Sequence, residues 1–215
     1  MKPAVPQPLP FSPAAERNRD AILAQLQERL PATGRALEVA AGTGQHAVHF
    51  AAGLPGWKWW PTDAETTSLR AIAQWVGASG VTNVAAPQLL DVVQALQAEP
   101  AVLAQQLGQD FDLVYAANLL HIAPWDACAG LMHVATALLA PHGQLITYGP
   151  YLERDVPTAA GNASFDASLR QSDPRWGLRL LNEVAAEAAR FGLRLLERQP
   201  MPANNLLLVW GRAAT

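Results

Sequence analysis

Leu37–His46, with the sequence LEVAAGTGQH, decides the fold class of this chain. A short apolar run meets a glycine-rich turn, and an apolar helical pattern follows at positions 47–51. This order predicts a strand, a tight turn and a helix, the arrangement that holds nucleotide-type ligands at the carboxyl end of the first strand of a parallel sheet. Gly42 and Gly44 suit the turn because a residue without Cβ lets the backbone bend sharply and lets a ligand lie against the main chain.

The composition indicates one globular domain with a sizeable core. The chain has 215 residues, of which 50% are hydrophobic and 15% are charged, and its formal net charge is -3. Lys2 and Lys58 are its only lysines and the arginines are scattered, so no basic stripe marks a nucleic-acid surface. We therefore expect a small-molecule partner and no nucleic acid. The sequence does not fix the oligomeric state and leaves a homodimer open.

Nothing in the sequence indicates a membrane segment or a metal site. Residues 1–11 hold too many prolines for a signal-peptide core, and no apolar run approaches the ~18 residues of a membrane span. We therefore expect a cytoplasmic protein without a membrane partner. Cys128 is the single cysteine and is interpreted as a small buried apolar residue. His46 and His49 lie three apart, but a third metal ligand with suitable spacing is not visible, so we expect no metal.

Strands and helices alternate along most of the chain. A first helix is expected to begin after an N-cap at Ser12 and to end at Pro31 to Gly34. The remaining helical patterns lie near 45–52, 66–77, 99–107, 126–139 and 176–190. The predicted strands are Ala36–Ala40, Lys58–Thr62, Val84–Leu90, Asp112–Ala117, Gln144–Gly149, Leu193–Arg198 and Leu206–Gly211. Five strands alternating with helices predict a parallel, doubly wound α/β sheet.

The C-terminal part departs from this alternation. Only residues 199–205 separate the last two predicted strands, which is too short for a crossover helix, so this pair is expected to be antiparallel. Residues 151–173 form the one long segment without clear periodicity, and long segments of this kind are usually functional or mobile. A short helix within this segment stays open.

Acidic residues follow the second and third predicted strands. In an open parallel sheet, the residues just after the strands surround the ligand. Asp63 lies nineteen residues past Gly44, an offset at which a carboxylate accepts hydrogen bonds from the hydroxyls of a ribose. Asp91 is placed to accept from an exocyclic adenine amine. The alternatives are a helix cap for Asp63, a surface loop for Asp91 and an ordinary tight turn for the glycines.

Polar and aromatic residues follow the fourth and fifth strands. Asn118 and His121 are placed to reach the reacting group, although a turn-forming Asn and a helix-capping His are the plain alternatives. Tyr148 and Tyr151 flank the end of the fifth strand. One tyrosine is expected to point into the site and the other into packing, and strand register decides which.

A dinucleotide-binding oxidoreductase of the NAD type is an alternative interpretation of the glycine turn. Gly42, Gly44 and Ala47 match the dinucleotide pattern with alanine in its third place. Two features count against it, since the chain lacks a second parallel mononucleotide half and the acid Glu38 inside an apolar strand has no role in that fold.

The residues resemble the class I S-adenosylmethionine-dependent methyltransferases. The first motif of that class, roughly Glu-x-Gly-x-Gly-x-Gly, stands here at 38–44, with Ala40 in place of the first glycine. Residues 12–19, 38–50, 60–63 and 117–122 resemble more closely a small group catalogued as domain of unknown function 938, which is related to the methyltransferase-like 26 proteins. The resemblance implies a Rossmann-like seven-stranded sheet with an antiparallel C-terminal hairpin, in which residues 1–34 form a lid segment and helix and residues 35–215 the methyltransferase domain.

The resemblance also implies the cofactor, S-adenosylmethionine, and the residues around it. The expected cofactor-binding residues are Arg17, Asn18, Glu38, Ala40, Gly42, Thr43, Gly44, Asp63, Ala64, Asp91 and Asn118. A base is needed only if the acceptor carries a proton at the working pH. His121 is then the expected base, because its unperturbed pKa near ~6.5 lets it accept a proton near neutrality, and Asn118, Tyr148 and Tyr151 are expected to orient or enclose the acceptor. Arg17 and Asn18 are placed to reach the cofactor carboxylate or an acidic substrate. A cofactor-binding protein that acts through a partner without catalysis is a further alternative.

Overall fold

A seven-stranded sheet forms the centre of the computed structural model, which describes residues 8–213. The strand order is β3-β2-β1-β4-β5-β9-β8. The strands are β1 Gly34–Val39, β2 Trp57–Asp63, β3 Gln88–Leu89, β4 Phe111–Ala117, β5 Leu139–Gly149, β8 Leu193–Met201 and β9 Asn205–Arg212. The first five are parallel, whereas β9 runs antiparallel to both β5 and β8, which confirms the predicted sheet and its C-terminal hairpin.

Helices cover both faces of this sheet. They are α1 Pro13–Arg29, α2 Gln45–Gly53, α3 Thr66–Ser79, α4 Val92–Ala95, α5 Pro100–Leu107, α6 Asp126–Leu138, α7 Ala160–Ser172 and α8 Leu181–Arg190. Apolar residues of α1 and α2 pack on one face, with Ile22, Leu26 and Phe50 fully buried. Residues of α5, α6 and α8 pack on the other face, and the alternation of side chains along each strand supplies both layers.

Local sequence signals account for the start of α1. The Oγ of Ser12 accepts a hydrogen bond from the backbone N of Ala15 at 3.3 Å, and Pro13 occupies the first turn, where its missing N–H leaves no bond unmade. The predicted first helix therefore has the predicted N-cap.

Two predictions of element bounds differ from the structure, and the helix left open in the long segment without periodicity is present. The third strand is restricted to Gln88–Leu89, and Val84 forms only an isolated bridge with Trp59. The helix expected over 176–190 begins at Leu181, since Arg179–Leu180 forms a short strand, β7, that pairs with β6 at Tyr151–Leu152. The segment without periodicity contains α7, which sequence periodicity does not reveal because Leu169 is its one buried residue.

Within the described residues, no helix is long and apolar enough to cross a membrane. Cys128 is buried in α6, and burial raises the pKa of its thiol to about 12. A protonated, buried thiol fits the packing role expected for this residue.

Candidate active site

A cavity of about 1040 Å³ opens at the carboxyl ends of β1, β4 and β5. Segments of α1, α3, α7 and the turn between β8 and β9 complete its walls. The predicted site residues that line it are Arg17, Asn18, Glu38, Ala40, Gly42, Thr43, Asn118, His121 and Tyr148. Pockets for a small ligand are usually ~300–1000 Å³, so this cavity lies at the upper end of that range.

The glycine loop between β1 and α2 forms one wall and has a left-handed backbone at three positions. Ala40, Gly42 and Gly44 have φ values of 55°, 59° and 87°. A Cβ at Gly42 would meet no protein atom within 4 Å, whereas a Cβ at Gly44 would lie 2.8 Å from Cα of Ile72 in α3. Gly42 therefore keeps backbone open toward the cavity, and Gly44 permits the close packing of α3.

Asp63 supports the glycine loop from the end of β2. Its Oδ2 accepts from the backbone N of Gly42 at 2.9 Å, and its Oδ1 accepts from the backbone N of Glu65 at 3.0 Å. An ionised carboxylate has about four acceptor positions, so two protein bonds leave capacity for a ligand hydroxyl. Asp63 is nevertheless buried and does not itself line the cavity, and its expected contact with a ribose stays a prediction.

Other predicted residues lie behind or beside the cavity. Asp91 is the N-cap of α4, where its Oδ1 accepts from the backbone N of Val93 at 2.9 Å, and Ala64 is an exposed residue after β2. Neither side chain lines the cavity, so their expected roles toward adenine and cofactor stay predictions.

The expectation that Tyr151 encloses the acceptor is corrected by the structure. Tyr151 is buried in the core and its hydroxyl donates to Oγ1 of Thr147 at 2.9 Å. The chain turns at Pro150 into β6, which carries Tyr151 away from the cavity that Tyr148 lines. One tyrosine thus faces the site and the other faces packing, as the alternation of side chains requires.

Glu38 lies at the floor of the cavity and is 2% exposed. Its Oε2 accepts a hydrogen bond from Nε1 of Trp59 at 2.6 Å. Burial raises the pKa of this carboxyl to about 8, against the opposing effect of the Trp59 hydrogen bond. The hydroxyl of neighbouring Tyr115 is also buried and has no hydrogen-bond partner among residues 8–213.

Helix α1 borders the cavity and is attached to α2 by polar contacts. The Nε2 of Gln45 donates to Glu16, its Oε1 accepts from the backbone N of Ser12, and Nε2 of His46 lies 2.7 Å from Oδ1 of Asn18. Burial lowers the pKa of His46 to about 4. Sequence analysis did not assign Gln45 and His46 to the site, although their position directly after the glycine loop is the signal that could have identified them.

Asn118 and His121 lie in a tight turn after β4. Asn118 adopts a left-handed backbone with φ 60°, and its N donates to the carbonyl of Tyr148 at 2.7 Å. A 3-10 turn over Leu119–His121 then directs the imidazole of His121 against Gly149, where a Cβ would lie 3.0 Å from Cε1 of His121. Burial, followed by the charge of Arg179, lowers the pKa of His121 to about 4, so the imidazole is neutral near neutral pH.

The segment after α7 holds the His121 turn in place. The backbone N of Gly177 donates to the carbonyl of His121 at 3.0 Å, and Nε of Arg179 donates to the carbonyl of Leu120 at 2.9 Å. The ring of Phe165 in α7 packs edge-on to His121 with centroids 5.6 Å apart. Sequence analysis missed Phe165 and Arg179 because they lie in segments whose placement depends on tertiary contacts.

Tyr148 completes the wall near His121. Burial raises the pKa of Tyr148, while a hydrogen bond with Asn18 and the charge of Arg17 act in the opposite direction. Residues of α1 and β5 therefore meet at this point of the cavity.

The fold and the glycine loop define the class I methyltransferase fold, and solved structures of that class share it. The mitomycin 7-O-methyltransferase MmcR aligns with a TM-score of 0.77 at 15% identity, over 93% of this chain and 54% of its own. The S-adenosylmethionine-dependent methyltransferase SibL aligns with a TM-score of 0.73 at 17% identity, over 94% of this chain and 56% of its own. An O-methyltransferase family 2 protein from Planctomyces limnophilus DSM 3776, solved with apigenin, aligns with a TM-score of 0.73 at 20% identity, over 93% of this chain and 60% of its own. The chain thus spans a little over half the length of these proteins.

The chain belongs to the family described as "Protein of unknown function (DUF938)", whose model matches residues 9–212. The match covers the glycine loop, the His121 turn and the closing hairpin together. The family resemblance seen in the sequence is confirmed.

Proposed function

We propose that the protein transfers the methyl group of S-adenosylmethionine to a small-molecule acceptor. The observation that carries the proposal is the position of Gly42 and His121 in one cavity. Gly42 offers open backbone on one side, and His121 offers a neutral imidazole on the other. A cofactor seated on the loop therefore shares its cavity with a group able to accept a proton from the acceptor.

The residues around the glycine loop fit a nucleoside with a charged amino-acid tail. No Cβ fills the space over Gly42, and the exposed Arg17 lines the same cavity, where its guanidinium is suited to a carboxylate. Glu38 at the floor is suited to a cationic group, because a nearby positive charge favours its ionised form. Asp63 keeps acceptor capacity for ribose hydroxyls. The NAD alternative receives no support from the antiparallel hairpin that closes this sheet.

The chemistry needs mainly orientation from the protein. Bound S-adenosylmethionine supplies a methyl group already activated on a sulfonium, and orientation alone contributes roughly 7–11 kcal/mol to lowering such a barrier. Asn118 and His121 hold the acceptor group, Tyr148 excludes water beside it, and His121 takes its proton. The imidazolium formed would lie beside the developing negative charge of the acceptor. This charge raises the pKa of His121 and so offsets the lowering of that pKa by burial.

The test is transfer of a labelled methyl group from S-adenosylmethionine into a protein-free extract of small molecules. We expect a labelled product with the wild-type protein and none with Gly42→Ala, whose Cβ would enter the cofactor space at φ 59°. Gly80→Ala is the matched control, because Gly80 also has a positive φ, 74°, and a Cβ there meets no atom within 4 Å at the C-cap of α3, away from the cavity. Tight cofactor binding without any labelled product would favour the non-catalytic alternative.

A further inference from the structure

The half of the cavity beside α7 has apolar walls. Ile122 follows the His121 turn and is 45% exposed, and Phe165 of α7 is 40% exposed, yet both line this cavity. Pro150 and Pro202 add rigid apolar surface to the same half. Large apolar side chains left open to solvent at one concave site indicate a ligand that covers them.

The same half lacks charged side chains. Within the described part of the chain, no Asp, Glu, Lys or Arg lines the cavity from the His121 turn, the end of β5, α7 or the turn between β8 and β9. The charged residues that do line it, Arg17 and Glu38, come from α1 and β1. An ion in the α7 half would lose its hydration without gaining a partner there, which is unfavourable.

The polar side chains that line this half are neutral amides and an imidazole. The side-chain amide of Asn162 donates to the carbonyl of Asn204 at 3.1 Å, and that of Asn205 donates to the carbonyl of Pro202 at 2.9 Å. The side chains of Asn118 and His121 line the cavity, and that of Asn118 makes no capping hydrogen bond to the turn that follows it. The amide oxygens of Asn162 and Asn205 keep acceptor capacity, so every polar side chain that this half offers a ligand is neutral, and Asn118 and His121 lie together at its inner end.

We propose that this half of the cavity is an acceptor subsite for an uncharged, planar aromatic hydroxy compound. The ring of the acceptor lies against Phe165 and Ile122, and its hydroxyl points to Asn118 and His121. Phe165 favours a ring because aromatic pairs gain from edge-on or offset packing beyond the area they bury. The proposal rests on the proposed function, since it places the cofactor at the glycine loop and the acceptor at α7.

The transfer step balances with the groups that the site and the cofactor provide. The hydroxyl proton passes to the imidazole of His121, the oxygen forms a bond to the methyl carbon, and the carbon–sulfur bond breaks with its electron pair moving to sulfur. The products are a methyl ether, a neutral thioether and an imidazolium, which then returns its proton to water.

The experiment compares three hydroxyl probes of similar shape by titration into the protein saturated with S-adenosylhomocysteine. The probes are 2-naphthol, the anion 6-hydroxy-2-naphthoate and 6-(aminomethyl)-2-naphthol, whose ammonium group makes it a cation at neutral pH. We expect 2-naphthol to bind at least tenfold more tightly than either ion. Tighter binding of the anion, lost in Arg17→Ala, would overturn the proposal, and so would the absence of 2-naphthol binding up to millimolar concentration.

Variants locate the probe. Phe165→Ala is expected to lower the affinity for 2-naphthol about tenfold, while the affinity for S-adenosylhomocysteine stays the same. Val102→Ala, an exposed apolar residue on α5 remote from the cavity, is expected to change neither affinity. Unchanged 2-naphthol affinity in Phe165→Ala would contradict the subsite. If S-adenosylhomocysteine does not bind the wild type, the proposed function fails, and the same titrations without it still decide whether the subsite exists.

Discussion

The indole Nε1 of Trp59 donates to Oε2 of Glu38 at 2.6 Å, beneath the cavity. Both side chains are almost fully buried, and burial raises the pKa of Glu38 to about 8. The carboxyl is therefore protonated at neutral pH in the protein without ligand. An acid in the middle of an apolar strand is unfavourable for folding once it ionises, so its presence is better explained by ligand binding than by stability.

Glu38→Gln is expected to stabilise the protein increasingly as the pH rises. The folded state keeps the Glu38 proton up to about pH 8, whereas the unfolded state releases it near pH 4.5. Bound protons favour the state that holds them more tightly, which here is the folded state. The contribution of this proton to the free energy of unfolding is therefore full below pH 4.5 and is lost as the pH rises through 8. Glutamine keeps an acceptor for Trp59 and does not titrate. The stability gain should grow by on the order of 1 kcal/mol per pH unit across this window.

Urea unfolding of wild type and variant at pH 5 and pH 8 measures this difference. Glu28→Gln on the exposed side of α1 serves as the control, and its stability should follow the wild type at both pH values. A Glu38→Gln variant whose stability tracks the wild type from pH 5 to 8 would show that Glu38 is already ionised in the folded protein.

Two buried histidines are expected to destabilise the protein in acid. Burial lowers the pKa of His46 and of His121 from the ordinary histidine value of 6.5 to about 4. The unfolded state therefore binds more protons below 6.5, so stability is full above that pH and falls as the pH drops toward 4. Each histidine lowers the free energy of unfolding by on the order of 3 kcal/mol once the pH has fallen to about 4.

His121→Asn should remove part of this acid sensitivity, and His142→Asn, at an exposed position, should not. The measurement is the free energy of unfolding at pH 4.5 and 7. Equal slopes with pH for wild type and His121→Asn would mean that His121 is accessible to protons in the folded protein.

Gly149→Ala is expected to impair transfer without impairing cofactor binding. Its Cβ would lie 3.0 Å from Cε1 and 3.3 Å from Nδ1 of His121, so the imidazole must shift. General base catalysis typically contributes about 10²–10⁴-fold, and we expect a loss in kcat within that range for His121→Asn and a smaller loss for Gly149→Ala. Steady-state transfer with saturating cofactor and acceptor measures both kcat values, with Gly77→Ala in α3 as control, since a Cβ there meets no atom within 4 Å. If Gly149→Ala retained full kcat, the ring of His121 would have no positioned role.

Asp63→Ala is expected to weaken the binding of S-adenosylmethionine by on the order of 1.5–3 kcal/mol. The change removes the acceptor for the backbone N of Gly42 at 2.9 Å as well as the expected acceptor for the ribose. Calorimetric titration measures the affinity, and Asp112→Ala, whose carboxylate accepts from the backbone N of Arg35 far from the cavity, controls for the loss of a similar structural hydrogen bond. An affinity unchanged by Asp63→Ala would remove Asp63 from the cofactor site.

The parts of the site that sequence reasoning found depend on local signals. The apolar run, the two glycines and the polar residue after each strand are neighbours along the chain, and parallel strands bring their carboxyl ends to one edge. Phe165 and Arg179 carry no such signal. They reach His121 only because β6 pairs with β7 and thereby brings α7 over the cavity, a contact between distant segments.

The orientation of Tyr148 and Tyr151 also depends on contacts between segments that are distant in the sequence. Tyr148 and Tyr151 stand on either side of Pro150, and sequence periodicity alone does not define where β5 ends. In the structure β5 ends at Gly149 and the chain re-enters a separate strand pair, so Tyr151 faces the core. Register, which is set by pairing with another strand, decides the outcome.

Parallel calorimetric titration of the wild-type protein with S-adenosylmethionine, S-adenosylhomocysteine and NAD decides which cofactor the glycine loop binds. We expect micromolar binding of the first two, about -8 kcal/mol, and no binding of NAD. Binding of NAD alone would contradict this expectation and would make the loop at Gly42 a dinucleotide site.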